Sequence, residues 1–282
     1  MKVKRASVLG RCMGVRRAVD LALETARRER GELVYTIGPL IHNPQAVREL
    51  ADEGVVALSE AEIDGRVAGK AVVIRAHGVP PALRERLEAL GARVVDATCP
   101  RVLASQRKAR DFSLRGYTVV IAGDAGHGEV TGIAGYAPLS VVVGGPAEAR
   151  AVPLSPPVAL IAQTTIKREE YEAIRDALAE RFPDLEVVDS ICPCTAERLE
   201  ALEALAADVE AVVVVGGRNS ANTARLLATA RSLGKPAWLV ETAQELPDEA
   251  FGYGRVGLTA GASTPESLID EVESALALGR RR

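Results

Sequence analysis

The chain has 282 residues, 48% of them hydrophobic, so it can bury a sizeable core in one large domain or several smaller ones. Lysine and arginine number 35 against 38 acidic residues, and the net charge of -3 argues against a global basic surface for nucleic acid. Apolar runs fall far short of the roughly 20 residues that span a bilayer, and arginines interrupt the N-terminal segment, so neither a membrane helix nor a secretory signal is predicted, and a cytoplasmic location is expected.

The first predicted elements form a strand, a polar tip and a helix. The strand of residues 32–37 runs into the tip GPLIHN, which contains His42, and a helix over residues 44–53 follows. The same order recurs in a strand over residues 70–75, a tip that contains His77, and a helix over residues 81–90. A further short strand then leads to Cys99. The pattern of strand, polar tip, helix and strand is typical of parallel α/β structure.

A second copy of this pattern follows along the chain. An apolar strand over residues 117–122 leads into a glycine-rich tip with His127 and Glu129. The next strand, residues 158–162, leads into the tip Gln-Thr-Thr and a helix over residues 167–182. The copy closes on DLEVVDSICP, which matches GARVVDATCP of the first copy and places Cys192, like Cys99, at the carboxyl end of a strand.

The last repeat begins with the strand of residues 211–215 and its tip Gly-Gly-Arg-Asn-Ser. Since ligands of parallel sheets lie beyond the carboxyl ends of the strands, we predict an α/β fold of three related lobes, with mainly parallel sheets, whose tips converge on one central site. A single long open sheet is the competing architecture. The predicted lobes cover residues 13–98, residues 99–191, and residues 192–270 together with 1–12, and residues 271–282 form a C-terminal tail.

All three histidines of the chain occupy such tips. A lone histidine is more often structural, but three at equivalent positions favour a shared function, and imidazole donates hydrogen bonds to phosphate oxygens. Two further tips, the RNSANT segment after Gly217 and the TAGAS segment at residues 259–263, offer backbone N–H groups and polar side chains to an anion. Ordinary helix capping is the alternative for both. Glu129 is either a solvated loop carboxylate or a buried acid with a raised pKa.

The four cysteines suggest reduced thiols rather than a disulfide framework. Free buried thiols are one interpretation. Zinc commonly requires close C-x-x-C pairs, which this chain lacks. Three thiolates on separated strand ends suit a cubane iron–sulfur cluster with one iron left without a protein ligand.

Together these residues resemble the 4-hydroxy-3-methylbut-2-enyl diphosphate reductase family, which catalyses the last step of the methylerythritol phosphate route to isoprenoids. The resemblance covers essentially the whole chain. The motifs that carry it are GRCMGV with Arg17-Ala18, GPLIHN, RAHGV, DATCP, GHGEV, QTT, SIC, NSAN and TAGAS.

The resemblance implies a reductive dehydroxylation of (E)-4-hydroxy-3-methylbut-2-enyl diphosphate to isopentenyl and dimethylallyl diphosphate. It also implies a [4Fe–4S] cluster with an open apical iron at the pseudo-threefold centre. The implied cluster ligands are Cys12, Cys99 and Cys192. The implied catalytic residues are Glu129, Thr164 and His127. The implied substrate-binding residues are His42, His77, His127, Thr164, Thr165, Asn219, Ser220, Asn222 and Ser263.

A small ferredoxin or flavodoxin is the electron donor that the resemblance implies, and a monomer that binds neither nucleic acid nor membrane is expected. The sequence departs from the family pattern at Arg11, Gly128 and Ala221, where an aromatic residue, proline and serine are frequent, and Cys194 matches no ligand. Two alternative functions are an iron–sulfur dehydratase for a related substrate and a non-catalytic iron–sulfur sensor. Dependence of product formation on a reductant separates the reductase from the dehydratase.

Overall fold

The computed structural model describes residues 1–41 and 43–279. The strands in this part of the chain are β1 (Lys2–Arg5), β2 (Val34–Ile37), β3 (Val55–Leu58), β4 (Ala71–Ile74), β5 (Arg93–Asp96), β6 (Thr118–Ala122), β7 (Val141–Val143), β8 (Val158–Ala162), β9 (Glu186–Val188), β10 (Ala211–Val215), β11 (Ala237–Val240) and β12 (Arg255–Ala260). The α-helices are α1 (Met13–Arg28), α2 (Pro44–Asp52), α3 (Pro81–Ala89), α4 (Pro100–Leu114), α5 (Gly128–Ala134), α6 (Pro146–Ala151), α7 (Arg168–Ala179), α8 (Pro193–Asp208), α9 (Ala221–Ser232) and α10 (Glu266–Leu278).

The strands form three separate sheets of four strands, and every strand pair is parallel. The strand orders are β5-β4-β2-β3, β9-β8-β6-β7 and β1-β12-β10-β11. All three orders are the same if the N-terminal strand β1 is counted as the fourth strand of the last sheet. The prediction of three related parallel-sheet lobes is confirmed, and the single long open sheet is excluded. The pseudo-threefold arrangement around one centre stays a prediction.

The central strands are rich in β-branched residues, and both faces of these strands are buried. The strands β4, β8 and β10 are buried at every position. Strands with both faces covered by helices read as continuous apolar runs rather than as alternating patterns. In the third of these sheets, β10 is a run of one alanine and four valines, and the helices on either side supply the second layer of its core.

By contact density the described chain divides into two compact units. One consists of Met1–Arg16, Ile41–Glu53 and Pro193–Arg282, and it contains the sheet of β1, β10, β11 and β12. The other consists of Arg17–Leu40 and Gly54–Cys192, and it contains the other two sheets. The lobe boundaries predicted from the sequence stay a prediction. The helix α10 crosses the boundary at residue 270, and Val272 and Leu276 beyond it are buried in the core.

The predicted helix over residues 167–182 ends early in the structure, at Ala179. Its last predicted residue, Phe182, precedes Pro183, and a residue before proline is disfavoured in the helical conformation. Among the described residues, no helix combines the length and the apolar character needed to cross a bilayer.

Candidate active site

Each of the three candidate cluster cysteines makes the same type of backbone hydrogen bond within its own sheet. In each sheet, the cysteine follows the edge strand, and its N–H donates to the carbonyl of the second residue beyond the neighbouring strand. The pairs are Cys99 with Ala76 at 3.0 Å, Cys192 with Thr164 at 2.8 Å, and Cys12 with Ala262 at 3.3 Å. The sequence repeat predicted equivalent positions for Cys99 and Cys192, and the structure extends the equivalence to Cys12, whose edge strand is β1.

The cysteines are suited to bind an iron–sulfur cluster because their thiols are free and partly accessible. All four cysteines are partly exposed and none forms a disulfide. Thiolates on separate loops are the usual protein ligands of such clusters. In the described part of the chain, no group of three Cys, His, Asp or Glu side chains is arranged to hold a metal ion. The cluster therefore stays a prediction that rests on the donor set and on the repeated backbone contact.

The best-defined pair of candidate residues is Glu129 with Thr164, in the tips after β6 and β8. Glu129 lies in the first turn of α5, and only 1% of its surface is exposed. The backbone N–H of Thr164 donates to Oε1 of Glu129 at 2.6 Å, and the Thr164 hydroxyl donates to Oε2 at 2.8 Å. Thr164 is also the residue whose carbonyl accepts from Cys192. One residue thus contacts both the candidate acid and a candidate cluster ligand.

Burial dominates the electrostatics of Glu129. Removal from water raises the pKa of Glu129, and the two hydrogen bonds from Thr164 only partly oppose this, since they favour the ionised form. The interpretation of Glu129 as a solvated loop carboxylate is therefore wrong. A carboxylic acid with a raised pKa can hold a proton at neutral pH and deliver it.

His127 and His77 lie together in the tips of the same unit. Their rings meet edge to face, with centroids 5.2 Å apart. His127 is the N-cap of α5, and its Nδ1 accepts from the N–H of Glu129 at 3.2 Å. Burial lowers the pKa of His127, the charge of Arg75 lowers it further, and Asp124 opposes both. We infer a neutral imidazole with its proton on Nε2, which can donate to a phosphate oxygen.

The tips after β10 and β12 provide the candidate anion contacts of the other unit. The Ser220 hydroxyl caps α9 by accepting from the N–H of Thr223. Nδ2 of Asn222 is buried and has no hydrogen-bond partner among the described residues. Capping therefore accounts for Ser220, whereas the unsatisfied amide of Asn222 remains available to a ligand. Asn219 is exposed, and Ser263 is half-buried in the tip after β12.

Thr165 is half-buried, and its hydroxyl accepts a hydrogen bond from the Gln163 side chain at 3.0 Å. The same glutamine accepts from the N–H of Asp124, so it links the tips after β6 and β8. His42, a predicted substrate-binding residue, lies outside the described residues.

Comparison with known proteins decides the family. Residues 3–277 match the family described as LytB protein. The chain is 49% identical to a 4-hydroxy-3-methylbut-2-enyl diphosphate reductase of Treponema denticola over 99% of this chain and 100% of that protein. The chain belongs to the LytB family of 4-hydroxy-3-methylbut-2-enyl diphosphate reductases.

Two solved structures extend the LytB comparison to the fold. A structure titled (E)-4-hydroxy-3-methyl-but-2-enyl diphosphate reductase, the terminal enzyme of the non-mevalonate pathway, is 37% identical, with a TM-score of 0.75 and coverage of 99% of this chain and 100% of that one. The corresponding reductase of Plasmodium falciparum has a TM-score of 0.87 at 24% identity, covers 97% of this chain and 87% of its own, and supports the fold alone. The predicted family is confirmed, and neither the dehydratase nor the sensor is favoured.

Sequence reasoning missed Gln106 in this LytB chain. Gln106 lies on α4 with 2% of its surface exposed, and its Nε2 has no hydrogen-bond partner among the described residues. A Cβ at Gly78, the residue after His77, would lie 2.3 Å from this Nε2. Gly78 also has a φ of +72°, so glycine is required there for both conformation and space. Gln106 thus packs directly beneath the His77 tip.

Sequence reasoning also missed Arg198 of α8, because an arginine on a helix is normally exposed. Only 2% of its surface is exposed. Its guanidinium donates to the carbonyls of Ala260 and Gly10 at 2.8 and 2.9 Å, and to Sγ of Cys194 at 3.7 Å. The loop before Cys12 is therefore fixed to α8 and to the end of β12.

Cys194, which the sequence matched to no ligand, lies beside Cys12 in the LytB fold. A hydrogen bond with the Cys12 thiol raises the pKa of Cys194, burial raises it further, and Arg198 opposes both. The sequence could not reveal this contact, because Cys194 is close to Cys192 along the chain whereas its partner, Cys12, is remote in sequence.

Proposed function

We propose that this chain reduces (E)-4-hydroxy-3-methylbut-2-enyl diphosphate to isopentenyl and dimethylallyl diphosphate. In this reaction the substrate takes up two electrons and two protons, the carbon–oxygen bond breaks, and water leaves. The observation that carries the proposal is the contact of Thr164 with both Glu129 and Cys192. Thr164 thereby contacts both the proposed proton source and a candidate ligand of the proposed electron-transfer centre.

A [4Fe–4S] cluster, held by Cys12, Cys99 and Cys192, is proposed as the centre that supplies single electrons and a Lewis-acidic iron. The fit is supported by thiols that are free of disulfides and by the backbone contact that recurs at all three cysteines. A small ferredoxin or flavodoxin is the proposed electron donor. The enzyme is proposed to act as a monomer in the cytoplasm.

The substrate's diphosphate is assigned to the tip residues. In one unit, Nε2–H of His127 is free to donate, and His77 lies against it. In the other, the unsatisfied amide of Asn222 and the N-terminus of α9 supply donors. His42, Thr165, Asn219, Ser220 and Ser263 are assigned to the substrate by the family resemblance. Binding energy from the diphosphate would orient the hydroxyl end of the substrate, which is remote from it.

Proton delivery is assigned to Glu129 through Thr164. Because burial raises the pKa of Glu129, this acid binds a proton more readily than an ordinary glutamate does, and it can then donate that proton. The Thr164 hydroxyl bonded to Oε2 can pass a proton from the acid by exchanging which oxygen donates. This moves the proton from the Glu129 carboxyl to the hydroxyl of Thr164, the residue whose carbonyl accepts from Cys192.

The test is anaerobic reconstitution followed by addition of the allylic diphosphate. The protein should hold about four irons per chain, and both products should form only when a reductant is present. Loss of water from the substrate without a reductant, which would give a more unsaturated diphosphate, would instead support the dehydratase. A protein that binds zinc in place of iron, or that converts no substrate under reducing conditions, would overturn the proposal.

A further inference from the structure

Arg75 is the first residue beyond β4, and its guanidinium lies in a space that two glycines leave open. A Cβ at Gly38 would lie 2.9 Å from Nη1, and a Cβ at Gly128 would lie 2.5 Å from Nη2 and 3.3 Å from Cζ. Gly38 is in the tip after β2, and Gly128 is the first residue of α5. The guanidinium is thus packed between two tips of one unit. A larger residue at 128 would displace the guanidinium.

Arg75 has no counter-charge in the described part of the chain. Its Nε is buried without a hydrogen-bond partner, and none of the ion pairs in that part includes it. Burial lowers the pKa of Arg75, since removal from water disfavours its charged form. A buried polar donor without a partner costs free energy, and in a native protein such a group calls for an explanation, for which a bound anion is one candidate.

The charge of Arg75 acts on His127, one member of the histidine pair. It lowers the pKa of His127, whose ring lies 5.2 Å from that of His77. The acid that raises the pKa of His127 is Asp124, which is exposed and forms no ion pair with Arg75 among the described residues. One fixed cation and two imidazoles therefore lie in the neighbouring tips after β4 and β6. This combination suits an anion with several oxygens.

We propose that Arg75 is a substrate-binding residue that donates paired hydrogen bonds to the diphosphate, and that glycine at 38 and 128 admits its guanidinium to this position. The inference rests on the proposed function. A guanidinium is planar and matches two oxygens of a phosphate at once, which a lysine cannot do. His127 lies beside this charge, and because its Nδ1 accepts from Glu129, its Nε2 can donate to the same anion.

The test measures binding of inorganic pyrophosphate to the reconstituted holoenzyme by calorimetry. Arg75→Met should weaken the affinity by roughly tenfold to a hundredfold, the range expected for one charge-assisted contact. Arg75→Lys should weaken the affinity less, because lysine keeps the positive charge but cannot donate paired hydrogen bonds from a planar guanidinium. Gly128→Ala should also weaken binding, since it displaces the guanidinium without removing it. The matched control is Arg66→Met, which removes an equal charge from an exposed arginine paired with Asp64.

The outcomes separate this inference from the proposed function. Unchanged pyrophosphate affinity in Arg75→Lys and Gly128→Ala would overturn the inference even if Arg75→Met failed to fold. Wild-type turnover of the allylic diphosphate would leave the proposed function standing in that case. A wild-type protein that binds no pyrophosphate would overturn the role of Arg75 outright. Equal losses in Arg75→Met and Arg66→Met would also overturn it, because only net charge would then matter.

Discussion

Two regions of the molecule bury an ionisable side chain near the carboxyl ends of a parallel sheet, and the surroundings of the two side chains differ. Among the described residues, the side chain of Glu129 accepts hydrogen bonds from the N–H and hydroxyl of Thr164 alone, and burial raises its pKa. Arg198 donates to two carbonyls and a thiol. Neither side chain forms an ion pair in the described part of the chain.

The difference separates a group that changes its charge from one that keeps it. A carboxyl with a raised pKa can take up and release a proton during turnover. A guanidinium is a permanent charge with five donors in a fixed fork, which makes it suited to joining several backbone segments. We therefore expect Glu129 to govern the reaction rate and Arg198 to govern the stability of the loop before Cys12.

The largest expected effect follows from Glu129→Gln. Glutamine keeps the shape and an acceptor for Thr164 but has no acidic proton, so turnover should fall by roughly a hundredfold or more. The Michaelis constant should change little, since the diphosphate contacts are elsewhere. Steady-state kinetics under anaerobic reducing conditions measure both constants. Glu169→Gln, an exposed glutamate in the first turn of α7, is the control. A variant that kept the wild-type turnover would remove Glu129 as the proton source.

Arg198→Met should lower stability without a direct effect on chemistry. The carbonyls of Gly10 and Ala260 would lose their donor, and each unsatisfied buried acceptor costs roughly 1–3 kcal/mol. The midpoint of urea unfolding should therefore fall well below that of Glu197→Gln, an exposed neighbour on α8 that serves as the control. Equal midpoints for the two variants would show that the contacts of Arg198 contribute nothing to the fold.

The sequence predicted the framework of both regions because their strands repeat. Runs of valine and isoleucine, polar tips and the paired VVD–CP segments were enough to predict parallel sheets and to place Cys99 and Cys192 at strand ends. The proximity of Glu129 and Thr164 is consistent with that framework, since β6 and β8 are neighbours and their tips share one edge.

Arg198 and Gln106 could not be predicted in this way. Both lie on helices, where a polar side chain normally faces water, and only the packing of tip loops on the helix buries them. Arg75 was visible in the RAHGV motif, but its importance depends on the space at Gly38 and Gly128. Close approaches of this kind arise between segments far apart in sequence, and no local pattern records them.

A smaller effect should appear in the pH dependence of stability. The unfolded chain releases the Glu129 proton near the ordinary pKa of 4.5, whereas the folded protein holds it to a higher pH. At a pH between the unfolded and folded pKa of Glu129, the unfolded state binds fewer protons than the folded state. The free energy of unfolding of the wild type should therefore fall as pH rises, when it is compared with that of Glu129→Gln. Denaturant unfolding of both proteins between pH 4 and pH 8 measures the difference. Parallel curves, or a difference that grows in the opposite direction, would contradict a raised pKa.

The smallest effect is expected for Cys194→Ser, which tests whether the thiol beside Arg198 belongs to the structural region or to the chemistry. The carbonyl contacts of Arg198 survive this change, and a serine hydroxyl can accept in place of the sulfur, so stability should change little. Iron analysis after anaerobic reconstitution should still give about four irons per chain, whereas Cys192→Ser should lose most of them. If Cys194→Ser lost iron and Cys192→Ser retained it, the pair Cys12 and Cys194 would be the ligands, and the contact with Arg198 would belong to the metal centre.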